Sequence, residues 1–166
     1  MATTKLEGQG TIVGKTSPDF TLFDQDGQPF NLDKTCKKGP ILLAFYPGDF
    51  TAVCTKQLCN YQDNLSSFQG LGLQLVGISK NSTEEHAKFA KQYQFQFKLL
   101  TDPKNQIAKL LGCSSSWMLG MVSRAVLILN SNRMILYKYI EPTAVTRRSA
   151  EELLKIVNDL KSHGMV

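Results

Sequence analysis

The 166-residue sequence lacks the features that mark membrane-spanning proteins and secreted proteins. No apolar run approaches the roughly 18 residues of a membrane span, and the first ten residues hold no apolar segment typical of a signal peptide. The four cysteines are too few and too scattered for a disulfide scaffold, which a chain of this length does not need to build a core. We therefore expect a cytoplasmic protein that does not bind membranes and whose thiols are available for chemistry.

The distribution of charge and of metal-binding side chains disfavours two further classes. The net charge of +5 comes from basic residues scattered singly, apart from pairs at 37–38 and 147–148, and predicts no nucleic-acid partner. Successive cysteines are 18, 5 and 54 residues apart, whereas zinc sites need closely spaced Cys or His pairs. His86 and His163 lie in polar helical segments, so both are expected at the surface and not in a Cys–His pair. The sequence predicts no metal site.

Strands and helices alternate along the chain. Apolar runs rich in branched or aromatic residues predict strands at 20–22, 41–46, 73–79, 125–129 and 134–140. The run at 41–46 has no polar alternation, which is typical of a central strand covered on both faces. Residues 130–133 predict a hairpin turn, and therefore an antiparallel pair near the end of the chain.

Two helices have recognisable starts. Ser82 is followed three residues later by Glu85, and Ser149 by Glu152, which is the spacing of a capping box. An apolar stripe in the second helix would pack it on the sheet. Because no linker, repeat or low-complexity segment divides the chain, we predict one domain over residues 1–166. The alternation indicates an α/β three-layer sandwich around a mixed sheet.

The most informative stretch follows the predicted central strand, where a loop containing Pro and Gly leads into a helical pattern. Cys54 falls in or beside the first turn of that helix, where unpaired backbone N–H groups and the helix dipole stabilise a thiolate. Thr51 is close enough to donate a hydrogen bond to the thiolate or to an oxygen beside it, and Pro47 would shield the pocket from water. Cys54 is either a small buried apolar residue or a nucleophile. The strand-to-helix junction, where open α/β sheets place their ligands, favours the nucleophile.

Cys59 lies five residues after Cys54, and this spacing sets a geometric limit. On an ideal helix two such Cα atoms are about 8.7 Å apart, whereas a disulfide tolerates at most about 7 Å. A disulfide between these two cysteines therefore requires the first turns of the helix to unwind.

The other two cysteines are expected to be dispensable. Cys36 lies among lysines whose charges would lower the pKa of its thiol, but its loop offers no second thiol, so we expect an exposed bystander. Cys113 follows a short helical pattern and is an alternative partner for Cys54, although Cys59 is favoured by its local position. The apolar segment 117–121 is expected to be core or a pocket wall, with a dimer contact as the alternative.

Several of these residues together resemble a known family. Pro47, Thr51 and Cys54 form P-x-x-x-T-x-x-C, the active-site signature of peroxiredoxins. The pair Cys54 and Cys59 looks like that of the bacterioferritin comigratory protein (peroxiredoxin Q) branch. Arg124, just before a predicted strand, resembles the active-site arginine of the family. The segments 17–22 and 26–32 are similar to its N-terminal A-P-D-F-x-L motif and the hairpin that follows.

The resemblance implies a thioredoxin-like three-layer sandwich with a central mixed sheet and an N-terminal β-hairpin extension. It also implies a thiol peroxidase of antioxidant defence that reduces hydrogen peroxide and organic hydroperoxides. Cys54 would become a sulfenic acid, Cys59 would resolve it as an intramolecular disulfide, and thioredoxin or a similar dithiol would reduce that disulfide. Arg124 would hold the thiolate, with Thr51 on the reacting oxygen and Pro47 shielding it.

This chemistry needs no cofactor: no metal, haem or flavin takes part. The oligomeric state is expected to be a monomer or a weak homodimer. Two alternatives remain open. Cys54 acts alone or with Cys113 in the first, and in the second the chain is a thioredoxin-fold redox sensor or binding module that reacts once without turnover.

Overall fold

A seven-stranded mixed sheet organises the protein. The computed structural model describes residues 13–113, 122–143 and 145–166; the segment 117–121 lies outside them. The strands are β1 (Thr21–Phe23), β2 (Pro29–Asn31), β3 (Ile41–Phe45), β4 (Gln74–Ser79), β5 (Lys98–Thr101), β6 (Ala125–Leu129) and β7 (Ile135–Ile140). The helices are α1 (Leu32–Cys36), α2 (Ala52–Asp63), α3 (Leu65–Gly70), α4 (Thr83–Tyr93), α5 (Gln106–Leu110) and α6 (Ala150–Ser162).

The strand order is β2-β1-β5-β4-β3-β6-β7. Strand β3 pairs in parallel with β4 and β4 with β5, whereas the other neighbours are antiparallel, including the β1–β2 and β6–β7 hairpins. The prediction of a central strand is confirmed, because every residue of β3 is buried between two neighbours. The N-terminal hairpin forms one edge of the sheet, as the family resemblance implied.

Apolar clusters cover the two faces of the sheet. Because successive side chains of a strand point to opposite faces, Leu42 and Ala44 enter one cluster while Leu43 and Phe45 enter the other. Helices α2, α3, α4 and α6 bury their apolar residues in the first cluster, and α1 and α5 in the second. The predicted three-layer sandwich is therefore confirmed. In the part of the chain that the structure describes, no helix is both long and apolar enough to cross a membrane.

Both predicted capping boxes are present. The Ser82 hydroxyl accepts a hydrogen bond from the Glu85 amide at 3.2 Å, and the Glu85 carboxylate accepts one from the Ser82 amide at 3.0 Å. Ser149 and Glu152 make the same reciprocal pair at the start of α6, at 3.2 and 2.9 Å. Helices α4 and α6 therefore begin with their first N–H groups satisfied.

The strands and helices differ from the sequence prediction at β5 and after Cys54, and α1 lies where a loop was expected around Cys36. Strand β5 was not predicted, although Phe95 and Phe97 alternate with polar residues just before it; it is only four residues long, and its partners β4 and β1 are distant in sequence. The helical pattern after Cys54 is broken at Asn64, whose backbone leaves the helical region, so that α2 and α3 are separate helices.

Close packing at Gly77 gives the first prediction. A Cβ at this position in β4 would lie 2.9 Å from Leu99 Cδ2 and 3.1 Å from Tyr46 Cε1, inside a filled core. We expect Gly77→Ala to lower the free energy of unfolding by roughly 1–3 kcal/mol, measured by urea denaturation. Gly70→Ala is the control, because a Cβ there meets no atom within 4 Å and should leave stability unchanged or slightly raised. Equal losses in both variants would contradict the packing argument.

Candidate active site

Cys54 is the third residue of α2 and is fully buried. Its amide precedes the first helical hydrogen bond, which runs from the Thr55 amide to the Thr51 carbonyl at 2.9 Å. Thr51 occupies the N-cap position, but within the described residues its side chain makes no capping bond, and the first turn of α2 holds no acidic residue. The first N–H groups of α2 have no partner within the helix and receive no cap from the Thr51 side chain, so the start of the helix favours an anion.

Arg124 supplies the positive charge that faces this sulfur. Arg124 directly precedes β6, whose first residue Ala125 pairs with Phe45 at the end of β3. It therefore lies at the end of the sheet where the loop to α2 begins. Arg124 Nη1 donates a hydrogen bond to Cys54 Sγ at 2.9 Å, and both side chains are buried. A guanidinium bonded to sulfur in a buried site stabilises the thiolate, because the local dielectric screens the attraction little.

A chain of side-chain hydrogen bonds holds Arg124 in place. Arg124 Nη1 also donates to Gln57 Oε1 at 2.9 Å, and Gln57 Nε2 donates to Tyr61 Oη at 2.9 Å. The Tyr61 hydroxyl in turn donates to the carbonyl of Arg148 at 2.9 Å. Burial raises the pKa of Tyr61, so the phenol keeps its proton and remains a donor.

Neither Gln57 nor Tyr61 was predicted from the sequence. They lie three and seven residues after Cys54, which places all three on one face of α2. This spacing is the feature of the sequence from which the two polar side chains could have been predicted to lie near Cys54. Because an amide oxygen is uncharged, Gln57 orients Arg124 without neutralising it.

Thr51 and Pro47 lie in the same loop, as predicted. Two partners were predicted for the Thr51 hydroxyl, the sulfur or an oxygen beside it, and the hydroxyl does not bond the sulfur. The single hydroxyl proton of Thr51 is directed at the Gly48 carbonyl, 3.3 Å away. Thr51 is exposed, so its hydroxyl is able to turn toward an incoming oxygen. Pro47 is half-buried directly after Tyr46, at the mouth of the loop.

Cys59 lies on the same continuous helix as Cys54, and both are free thiols. Cys59 is half-buried. Burial, together with the nearby charge of Asp63, raises the pKa of the Cys59 thiol above its ordinary value. The helix therefore holds the two thiols apart, and the raised pKa keeps the Cys59 thiol protonated.

Comparison with known proteins identifies the family to which this arrangement belongs. Residues 13–138 match the AhpC/TSA family. Chloroplastic peroxiredoxin Q of Sedum lineare is 37% identical over 151 residues, which cover 89% of this chain and 78% of that protein. The chain belongs to the AhpC/TSA family. It is a peroxiredoxin, a thiol-dependent peroxidase, as the sequence resemblance implied.

Solved structures agree with this assignment. Peroxidoxin BcpB from Mycobacterium tuberculosis superposes on this peroxiredoxin with a TM-score of 0.80 at 29% identity, over 92% of this chain and 98% of that chain. The reduced 2-Cys peroxiredoxin of Plasmodium vivax superposes with a TM-score of 0.84 at 25% identity, over 93% and 84% of the two chains. The expected thioredoxin-like peroxiredoxin fold is confirmed.

The prediction for Cys36 was wrong, and Cys113 is equally inaccessible. Cys36 is the last residue of α1 and is buried rather than exposed, because its side chain faces the core while the neighbouring lysines face solvent. Burial raises the pKa of Cys36 to about 11 and that of Cys113 to about 12. Both belong to the apolar cluster on the opposite face of the sheet from Cys54. Cys113 is therefore a poor partner for Cys54 in this peroxiredoxin.

The prediction for His86 was also wrong, whereas His163 is exposed as expected. His86 is fully buried, and its Nδ1 lies 2.7 Å from a carboxylate oxygen of Asp49, in the loop that precedes Cys54. The polar neighbours of His86 in sequence face solvent on the other side of α4, which concealed its orientation. Nowhere in residues 13–113, 122–143 and 145–166 do three or more His, Cys, Asp or Glu side chains form a possible metal site.

The role of Gln57 gives the second prediction. Gln57→Leu keeps the side-chain volume but removes the oxygen that orients Arg124, so we expect Cys54 to react with peroxide about tenfold more slowly. Stopped-flow measurement of the second-order rate constant checks this. Tyr61→Phe is the matched control, because it removes only the hydrogen bond between Gln57 and Tyr61 and leaves the bond from Arg124 to Gln57. Its rate constant should fall by no more than about threefold. An unchanged rate in Gln57→Leu would contradict the orienting role.

Proposed function

We propose that Cys54 is the peroxidatic cysteine of this peroxiredoxin. The observation that carries the proposal is the 2.9 Å hydrogen bond from Arg124 Nη1 to Cys54 Sγ at the uncapped start of α2. The guanidinium and the uncapped N–H groups both favour negative charge at this sulfur, and a thiolate is the reactive form of cysteine. In the part of the chain that the structure describes, none of the other three thiols accepts a hydrogen bond from a cationic side chain. Arg133 near Cys36 and Lys138 near Cys113 act only through their charge, and burial outweighs them.

The proposed reaction is a displacement at oxygen. The Cys54 thiolate attacks the terminal oxygen of a hydroperoxide, an S–O bond forms and the O–O bond breaks. The leaving alkoxide or hydroxide takes up a proton and departs as an alcohol or water, and the sulfur, oxidised by two electrons, becomes a sulfenic acid. Arg124 stabilises the charge that moves onto the peroxide oxygens, Thr51 turns to donate to the reacting oxygen, and Pro47 limits access of water.

Cys59 resolves the sulfenic acid in the proposed second step. Its thiolate attacks the sulfur of Cys54, an S–S bond forms, and the sulfenic hydroxyl leaves as water with the proton from Cys59. On a continuous helix the two Cα atoms are about 8.7 Å apart, beyond the limit of about 7 Å for a disulfide. The first turns of α2 therefore unwind before the bond forms.

A dithiol protein of the thioredoxin type is the proposed reductant, since the disulfide is left on a segment that has unwound and become accessible. We propose hydrogen peroxide and organic hydroperoxides as substrates. The protein is proposed to work in the cytoplasm, as a monomer or a weak homodimer. Because both redox cysteines lie on one helix, the reaction needs no thiol from a second chain.

The third prediction concerns turnover. Cys54→Ser should abolish peroxide reduction driven by thioredoxin, whereas Cys59→Ser should still consume one equivalent of peroxide but lose steady turnover with thioredoxin. A coupled assay that follows reductant consumption measures both variants, with Cys113→Ser as a control that retains turnover. Turnover without Cys54 would overturn the proposal. A single oxidation without turnover in the unaltered protein would identify a redox sensor, and a Cys54–Cys113 crosslink would identify a different resolving thiol.

The fourth prediction concerns the helix. The oxidised protein should exchange amide hydrogens faster over residues 54–61 than the reduced protein, and should lose helical circular dichroism. Hydrogen exchange with mass spectrometry compares the two states. Helix α6 is the internal control, because its exchange should not change. Equal protection of residues 54–61 in both states would contradict the unwinding step.

A further inference from the structure

A buried polar cluster holds the loop that leads into α2. Asp49 is its centre: Oδ1 accepts a hydrogen bond from Tyr46 Oη at 2.6 Å, and Oδ2 lies 2.7 Å from His86 Nδ1. The Asp49 amide donates to Asn81 Oδ1 at 2.9 Å. We call Asp49 and these three partners, Tyr46, Asn81 and His86, the Asp49 clamp. It does not contact Cys54 in any hydrogen bond given by the structure, and the peroxidase chemistry described above does not use it.

The hydrogen-bond partners define the protons in the clamp. His86 Nε2 lies 3.2 Å from the Leu100 carbonyl, which can only accept, so this nitrogen carries a proton. Burial and the charge of Asp49 raise the pKa of Tyr46, so the phenol remains a donor to Oδ1. The 2.7 Å contact between His86 Nδ1 and Asp49 Oδ2 also contains one proton, because an unprotonated ring nitrogen and a carboxylate oxygen would both be acceptors. His86 and Asp49 therefore form a buried hydrogen-bonded pair. Such a pair is stable only while both partners stay in place.

One residue, Phe50, connects the clamp to the N-cap of α2. Its backbone has φ of 63°, in the left-handed region that a bulky side chain rarely adopts. The residue is 47% exposed, and its ring packs against Phe89 of α4 with ring centroids 4.8 Å apart. Phe50 is held in this conformation between Asp49 on one side and Thr51, whose carbonyl accepts the first bond of α2, on the other.

We propose that the Asp49 clamp sets how often the first turn of α2 unwinds, and thereby controls the rate at which Cys59 resolves the sulfenic acid. When the clamp opens, Phe50 relaxes toward an extended conformation, the chain changes direction at Thr51, and the Thr51 carbonyl leaves the amide of Thr55. His86 is a positioning residue in this scheme, since it acts on Cys54 only through Asp49 and the loop. The inference rests on the proposed roles of Cys54 and Cys59.

The consequence is a partition of the sulfenic acid between two reactions. Resolution forms the disulfide with Cys59 and releases water. If unwinding is slow, a second hydroperoxide transfers its terminal oxygen to Cys54 instead: the O–O bond breaks, a second S–O bond forms, and an alcohol or water leaves. The sulfur, oxidised by two further electrons, becomes a sulfinic acid. A tight clamp favours the second reaction and a loose clamp favours the first.

Two variants loosen the clamp by different routes. Tyr46→Phe removes one donor to Asp49 and keeps the ring in the core. His86→Gln keeps a polar side chain but removes the ring nitrogen that lies 2.7 Å from Asp49 Oδ2. The amides of residues 55–58, the first that α2 protects, should exchange faster in both reduced variants. After one equivalent of hydrogen peroxide, the Cys54–Cys59 disulfide should form roughly fivefold faster than in the unaltered protein, as expected for the loss of one buried hydrogen bond. The sulfinic fraction in excess peroxide, measured by mass spectrometry, should fall correspondingly.

Leu129→Ala is the control for general destabilisation. Leu129 is fully buried at the far end of β6, where it pairs with Ile41 at the start of β3, away from the loop. The Leu129→Ala variant should lower the midpoint of urea denaturation without changing the rate of disulfide formation. Unchanged disulfide formation in both clamp variants, or equal acceleration in Leu129→Ala, overturns the inference.

Failure of the clamp and failure of the proposed function have different signatures. Hydrogen exchange of the reduced protein needs no peroxide and no thiol chemistry, so it reports on the clamp alone. Unchanged exchange of residues 55–58 in Tyr46→Phe overturns the clamp while leaving peroxide reduction by Cys54 intact. Turnover that survives Cys54→Ser overturns the proposed function regardless of the exchange result.

Discussion

The contact between the Arg124 guanidinium and the Cys54 sulfur is the interaction on which the site depends, and the sheet makes it possible. Strand β6 runs antiparallel to β3, so the residue before β6 lies next to the carboxyl end of β3. Two chain segments far apart in sequence thereby place a cation and a thiol within hydrogen-bond distance. The helices around them then exclude water, which keeps the attraction between the two groups strong.

The helix that carries Cys54 is built differently from the helices that only support the fold. Helices α4 and α6 begin with reciprocal capping boxes that include a glutamate, whereas α2 begins with an N-cap whose side chain is turned away. A capping carboxylate on α2 would stabilise the helix but repel a thiolate. The missing cap also makes the first turn easier to unwind. The proposed activation of Cys54 and the proposed disulfide formation are therefore both favoured by the same missing side-chain cap. The loop before α2 is held instead by the hydrogen bonds of Asp49.

The sequence was informative where the chemistry is local. The junction before α2, the capping boxes and the central strand all depend on residues close together in the chain, and each was predicted. The position of Arg124 could be inferred only from family resemblance, because its contact with Cys54 spans 70 residues. The orientation of His86 and Cys36 could not be inferred, since charged neighbours on a helix do not show which face meets the core. Strand β5 is too short to show a clear pattern, and its pairing with β4 and β1 defines it.

The position of the sheet between the cysteines has a consequence for electron counting. Cys54 and Cys59 are on α2 on one side, while Cys36 and Cys113 are enclosed in the apolar cluster on the other. The β-sheet therefore separates Cys54 and Cys59 from Cys36 and Cys113, and an oxidant that reaches the first two thiols does not reach the other two. The folded chain therefore forms one disulfide rather than two. Titration of the thiols after unfolding should find four before peroxide and two after it. The buried pair, Cys36 and Cys113, stays reduced in both samples and serves as an internal standard.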